Sequence, residues 1–189
     1  MKKTHIIFYL VIILLFLSFS LITAQNKPQK KDSYGKQDMM SVVVDQKAGS
    51  DKAVAKVNLV NDEKITAIVL PIKYGTGKTP ITLDSVSFAD TRVKDFAFKF
   101  PNIDPKIQKV NIALISTLSS AQIFLPKGEG EIAKLYFTLK KGGEEKTILL
   151  DTTTFEPANV LQMVEAEDNT AQAVYPVFDN SKGKIKLLK

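Results

Sequence analysis

Gly128-Glu-Gly-Glu-Ile-Ala-Lys-Leu-Tyr-Phe-Thr-Leu-Lys-Lys-Gly-Gly143 is the stretch whose reading decides the fold. Ala133, Leu135, Phe137 and Leu139 share one parity, and Lys134, Tyr136, Thr138 and Lys140 the other. A period of two belongs to a strand with one face buried and one in water. No i, i+3, i+4 apolar stripe runs through it, which excludes a helix. The flanking glycines read as turn positions, and Thr147 to Leu150 is expected to pair back across Gly142-Gly143.

The same unit recurs on both sides. Val42 to Asp45, Ala53 to Val60, Ile65 to Tyr74 and Ile81 to Phe88 read as strands, followed by Phe96 to Phe100, Val110 to Ile115 and Ile123 to Leu125. Beyond Thr147 to Leu150 come Val160 to Val164, Ala173 to Phe178 and Lys184 to Leu188. Pro71 lies within the longest apolar run after the first 24 residues and cannot donate a ladder bond, so that strand is expected at an edge or with a bulge. Glu167-Asp-Asn-Thr170 suits a hairpin turn into Ala173 to Phe178, which favours a strand over a helix at Val160. The fold class is therefore all-β: an antiparallel β-sandwich of jelly-roll type with about nine to ten short strands.

Ahead of the sandwich stand two other segments. Lys2 and Lys3 precede the apolar run Ile6 to Leu17, which decays through Ser18, Ser20 and Thr23 to Ala24. That is the pattern of an export signal helix cleaved after Ala24, with residues 6–24 retained as a membrane anchor as the alternative. Residues 25–40 are polar, charged and without period, the composition of a flexible linker. The domain organisation read here is signal peptide 1–24, linker 25–40 and sandwich 41–189. The implied location is secreted, periplasmic or cell-surface. With no cysteine, the exported domain has neither a lipidation site nor a disulfide and relies on its core.

Composition excludes several kinds of chemistry. The only histidine is His5, inside the signal, and there is no cysteine or tryptophan. Triads with a histidine base and cysteine nucleophiles are therefore excluded, and transition metals lose their usual nitrogen and sulfur ligands. Gly75-Thr-Gly-Lys-Thr79 resembles the end of a phosphate loop, but Ile72 stands where that loop needs its first glycine, so a hairpin turn is expected. Asp179-Asn-Ser-Lys-Gly183 lacks the further acids of a calcium loop and also reads as a turn. Glu165 and Glu167 are expected on a wet face beside a turn, which does not make a glycosidase pair. No enzyme, cofactor or metal site is predicted. The net charge of +6 is spread along the chain, and Arg92 is the only arginine, so no nucleic-acid partner is expected.

Three pieces together resemble a known family. They are Val57-Asn-Leu-Val-Asn61 with Ile65 to Tyr74, Ile81-Thr-Leu-Asp-Ser-Val-Ser-Phe88, and Gly128-Glu-Gly-Glu-Ile-Ala-Lys-Leu-Tyr-Phe137. They look like the cohesin-like domains of bacterial extracellular proteins, the module that binds dockerins in cellulosome scaffolds. Tyr74, Val86, Gly128, Gly130, Leu135 and Phe137 match the family pattern, and the likeness covers roughly Val42 to Leu150. The resemblance implies a jelly-roll sandwich and non-catalytic binding to another extracellular or envelope protein, a dockerin-like partner among them. Lys134, Tyr136 and Thr138, on the outward parity, are the predicted partner-binding residues. The alternatives are a structural envelope component, or a carbohydrate-binding module on the same jelly-roll fold that takes a polysaccharide. For the carbohydrate module, Tyr74, Tyr136 and Tyr175 are the candidate aromatic platforms, the phenylalanines lying mostly on buried parity.

Overall fold

The computed structural model describes residues 35–117, 123–143, 145–157, 159–166 and 171–189. The predicted export signal and most of the predicted linker lie outside them. Among the described residues every regular element is a strand: β1 (Met39–Asp45), β2 (Lys52–Asn61), β3 (Ile65–Lys73), β4 (Ile81–Ser87), β5 (Phe98–Asp104), β6 (Lys109–Ile115), β7 (Gly128–Leu139), β8 (Thr147–Leu149), β9 (Asp151–Thr152), β10 (Gln162–Glu165), β11 (Gln172–Val174), β12 (Val177–Lys182) and β13 (Lys184–Lys186). The strands outnumber the expected nine to ten because several hold only two or three residues, too few to display an alternation. The stretch Ala173 to Phe178 is not one strand but two, β11 and β12, which belong to different sheets.

One sheet has the order β12-β1-β2-β7-β4 and the other β11-β10-β3-β6-β5, with β9 also pairing β3. A two-stranded sheet, β13-β8, stands apart. The pairs are antiparallel except β1 with β12, which is parallel. This is the predicted all-β jelly-roll sandwich. Its interior is the buried parity of each sheet: Ala55, Val57, Leu59, Leu135 and Phe137 from one, Ile68, Leu70, Ile72, Val110, Ile112 and Leu114 from the other. Tyr74 and Phe137 meet with ring centroids 5.6 Å apart at 58°.

Four local expectations are corrected by this topology. The run after Gly142-Gly143 does not fold back on β7, because both edges of β7 are taken by β2 and β4; β8 pairs β13 instead. β3 is not an edge strand. Pro71 falls in the gap between β10, which pairs β3 up to Val69, and β9, which resumes at Ile72, so no ladder donor is missed there. Gly75 to Thr79 is not a hairpin but a crossing from β3 in one sheet to β4 in the other. Gly128 and Gly130 lie inside β7, opposite Asn61 and Leu59. A bulge at Ile132 follows, and both Ile132 and Ala133 are buried there.

The glycine of that strand has a steric cause. Gly130 has φ +141°, and a Cβ there would stand 3.1 Å from Cδ of Arg92, whose side chain lies across the strand. A side chain there would be strained at that φ and would have to push Arg92 aside by a few tenths of an ångström.

Candidate functional site

Lys134, Tyr136 and Thr138 stand on the outward side of β7, as the alternation requires. Cross-strand neighbours are Lys56 and Ser87 for Lys134, Val54 and Ser85 for Tyr136, Lys52 and Thr82 for Thr138. Tyr136 is 37% exposed. The flanking pair is engaged within the domain. Lys134 Nζ lies 3.1 Å from Glu131 Oε1, and that hydrogen bond raises its pKa. Thr138 Oγ1 donates to Asp84 and accepts from Lys52, which also lies 3.8 Å from Asp84. Of the three, only the phenol ring is uncommitted.

A broader apolar surface lies on the other sheet. Register aligns Ala173, Val164, Ala67, Ile115 and Phe98 in one outward row. The next row holds Gln162, Val69, Ala113 and Phe100. Beyond them the rows turn polar at Asn111 and Asn102, then charged at Lys73, Lys109 and Asp104. Phe98 is 39% and Phe100 52% exposed, and their rings stack with centroids 6.0 Å apart and 27° between planes.

Phe98 and Phe100 are the exceptions to the expectation that the phenylalanines lie mostly on buried parity, which Phe96, Phe137 and Phe155 follow. Phe96 is buried, but in the loop before β5; within the strand the inward parity belongs to Lys99, Pro101 and Ile103. Lys99 is accommodated because its ammonium donates to the carbonyls of Lys94 and Phe96 in that loop. β5 is an edge strand: at Lys99 its inner side faces that loop, while Ile103 further along packs against the core.

Tyr74 is the reverse case. Predicted as an exposed platform, it is 1% exposed, and its hydroxyl has no hydrogen-bond partner. Burial, with Asp104 adding to it, pushes its pKa from 10.0 up to about 12. The folded state therefore holds the proton more tightly than the unfolded chain. The stability linked to this group is complete below pH 10.0 and is lost as pH rises toward about 12. Tyr74→Phe is expected to cost nothing at neutral pH and to flatten the alkaline fall of the melting temperature. Thermal melts of both proteins across that range check this, and a neutral-pH loss would mean that the hydroxyl has a partner. Tyr175 is half-buried.

Three amides of the loop Gly75 to Thr79 are engaged within the domain instead of facing a phosphate, Thr76 N donating to Thr79 Oγ1 at 3.1 Å. Gly77 N and Thr79 N donate to Gln108 Oε1 at 2.8 and 3.2 Å, and Gln108 Nε2 donates to Thr79 O and Ile81 O at 2.7 and 2.9 Å. Gln108 is buried at φ 53° and serves the loop as an internal anchor. Glu165, expected on a wet face, is 1% exposed on the inward parity with Met163. Glu167 lies outside the described residues.

The corner where β1, β2 and β3 begin and end gathers charged groups that the sequence reading missed. Carboxylate oxygens of Asp38, Asp62 and Glu63 lie within 4.8 Å of one another, the one group among the described residues able to hold a cation together. Asp62 N donates to Asp38 Oδ1 at 3.3 Å, and Lys36 N to Asp62 Oδ2 at 2.8 Å. The hydrogen bond with the Glu63 side chain, then that from Lys36 N, hold the Asp62 carboxyl below 3.8. Beside them Arg92 donates through Nη1 to Leu59 O, Asn61 Oδ1 and Gly128 O at 3.1, 2.9 and 3.1 Å, and through Nη2 to Pro126 O at 2.6 Å. Burial lowers its pKa. Asp62-Glu63 after a strand was visible in the sequence, but Asp38 joins them only through the pairing of β1 with β2.

No family model matches the sequence, and no curated protein matches it. Solved structures do. The sixth cohesin of scaffoldin B from Acetivibrio cellulolyticus, in complex with a Cel5 dockerin, superposes with a TM-score of 0.61 at 13% identity over 80% of this chain and 99% of that one. The seventh ScaB type I cohesin from Pseudobacteroides cellulosolvens gives 0.59 at 17% identity, over 79% and 92%. The cohesin–dockerin complex Coh-OlpA-Doc918 from Clostridium thermocellum gives 0.59 at 13%, over 79% and 99%. The fold of this chain is the cohesin fold.

Proposed function

We propose that this domain is a non-catalytic module that binds another protein through the outer face of its six-stranded sheet. The observation that carries this is the stacked, exposed pair Phe98–Phe100, continued by Ile115, Ala113 and Val69 in register. Aromatic residues on a preformed, mostly apolar surface with a polar margin are the usual anchors of a protein interface. Structures of the same fold include cohesins in complex with dockerins, and a dockerin-like module is accordingly the partner class proposed. The basic and apolar start of the chain supports export, with the signal cleaved after Ala24 and the domain working outside the cell or at its surface.

The strip Lys134, Tyr136 and Thr138 is the second surface through which a sheet face would bind, and the test separates the two. Full-length protein with Phe98→Lys and Phe100→Lys is compared with the Lys134→Glu, Tyr136→Ala double variant in capturing secreted proteins of the native host. The first pair is expected to cost about 2 kcal/mol or more of binding, the scale of interface hot spots, and the second little. The reverse order moves the site to the five-stranded sheet. Wild type that captures no protein but is retarded on polysaccharide, with retardation lost in the Phe98 and Phe100 variant, makes the two rings a sugar platform.

A further inference from the structure

β1 carries the chain about 20 Å, at roughly 3.3 Å per residue, from Met39 to the turn that precedes β2. At that far end the turn and the last strand enclose a groove of about 480 Å³, within the roughly 300–1,000 Å³ of ligand pockets. Its aliphatic lining comes from Val44, Leu187 and Leu188, and Lys47, Lys184, Lys186 and Lys189 line it with ammonium-bearing chains. Gln46 joins the two sides: its Nε2 donates to Lys186 O at 2.8 Å, and Lys186 N donates to its Oε1 at 2.9 Å. Ser50 N donates to Lys47 O at 3.0 Å and closes the turn.

None of the four lysines has an ion-pair partner among the described residues. Asp45 and Asp51, the acids on either side of the turn, do not line the groove. A lone exposed lysine has little pull, but four around one concave surface attract a multivalent anion together. The lining holds no aromatic ring on which a sugar could stack. Gln46 already occupies the backbone of Lys186, so strand addition at that residue is not what the groove offers. What remains is an apolar floor beneath separated positive charges.

We propose that this groove binds an acidic peptide segment, with one aliphatic side chain on Val44, Leu187 and Leu188 and flanking carboxylates on the lysines. It is a second binding site, built from other strands than the Phe98–Phe100 face, and does not depend on that face being an interface.

The test is fluorescence anisotropy of a labelled Glu-Glu-Leu-Glu-Glu peptide titrated with the full chain. Saturable binding that weakens with added sodium chloride is expected, and the corresponding peptide with lysines in place of glutamates is expected not to bind. Lys184→Glu with Lys186→Glu should weaken binding about tenfold or more, as expected for reversing charges that face the ligand, with the thermal melt unchanged. Should that pair disturb β13, Lys47→Glu in the exposed turn is expected to weaken binding in the same direction. Phe98→Lys with Phe100→Lys should leave it unaltered. Absence of saturable binding to the wild type, or equal binding by the charge-reversed variants, overturns the proposal. Dextran sulfate binding as tightly as the peptide also overturns it, since the floor would then contribute nothing.

Discussion

Phe137→Ala is expected to lower the unfolding free energy by about 3–5 kcal/mol, the range for truncating a fully buried aromatic side chain. Phe137 is 1% exposed and packs on Tyr74, the residue that directly follows β3 of the other sheet, so its removal opens a cavity in the core. Tyr136, its neighbour in sequence, points to the other side of β7 and is 37% exposed. Tyr136→Ala should cost only about 1 kcal/mol or less, the worth of a cross-strand contact on a wet face. Urea unfolding of the two variants checks the contrast. Equal losses would mean that both faces of β7 are buried in solution.

Arg92→Met should lose about 2–4 kcal/mol, because it keeps the aliphatic stem but strips donors from three main-chain carbonyls and the Asn61 amide, each orphaned acceptor costing roughly 1–3 kcal/mol where it stays dry. The guanidinium is only partly buried and water can reach some of these oxygens, which holds the figure below the sum of its bonds. It ties β2 to the entry of β7 through Leu59, Gly128 and Pro126, places some thirty residues or more from it in the chain. Arg92→Lys tests geometry against charge. A lysine carries the same charge but lacks the planar fork, and it is expected to recover little of the loss. Full recovery by lysine would show that a positive charge at this place, and not the planar fork, is what stabilises the corner.

The alternation of Ala133 to Lys140 was enough to establish a strand and its two faces, because a buried pleated face demands a period of two whatever its partner, and its recurrence along the chain gave the sandwich. The absence of cysteine settled a second matter by residue type alone, since it rules out a disulfide and a thiolate nucleophile or ligand. Which strand pairs with which was not legible. Partner choice is a long-range competition for strand edges: Thr147 to Leu149 reads as a hairpin partner of β7 only while the claims of β2 and β4 on both edges are unknown. The outward face was equally hidden. Phe98 and Phe100 look like core residues, since a hydrophobic parity on an edge strand has the same sequence pattern whether it faces the opposite sheet or the solvent. The register of β5 on β6, a tertiary pairing, sets Phe98 and Phe100 beside Ile115 and Ala113 on the outer face and leaves Lys99 to the loop carbonyls of Lys94 and Phe96.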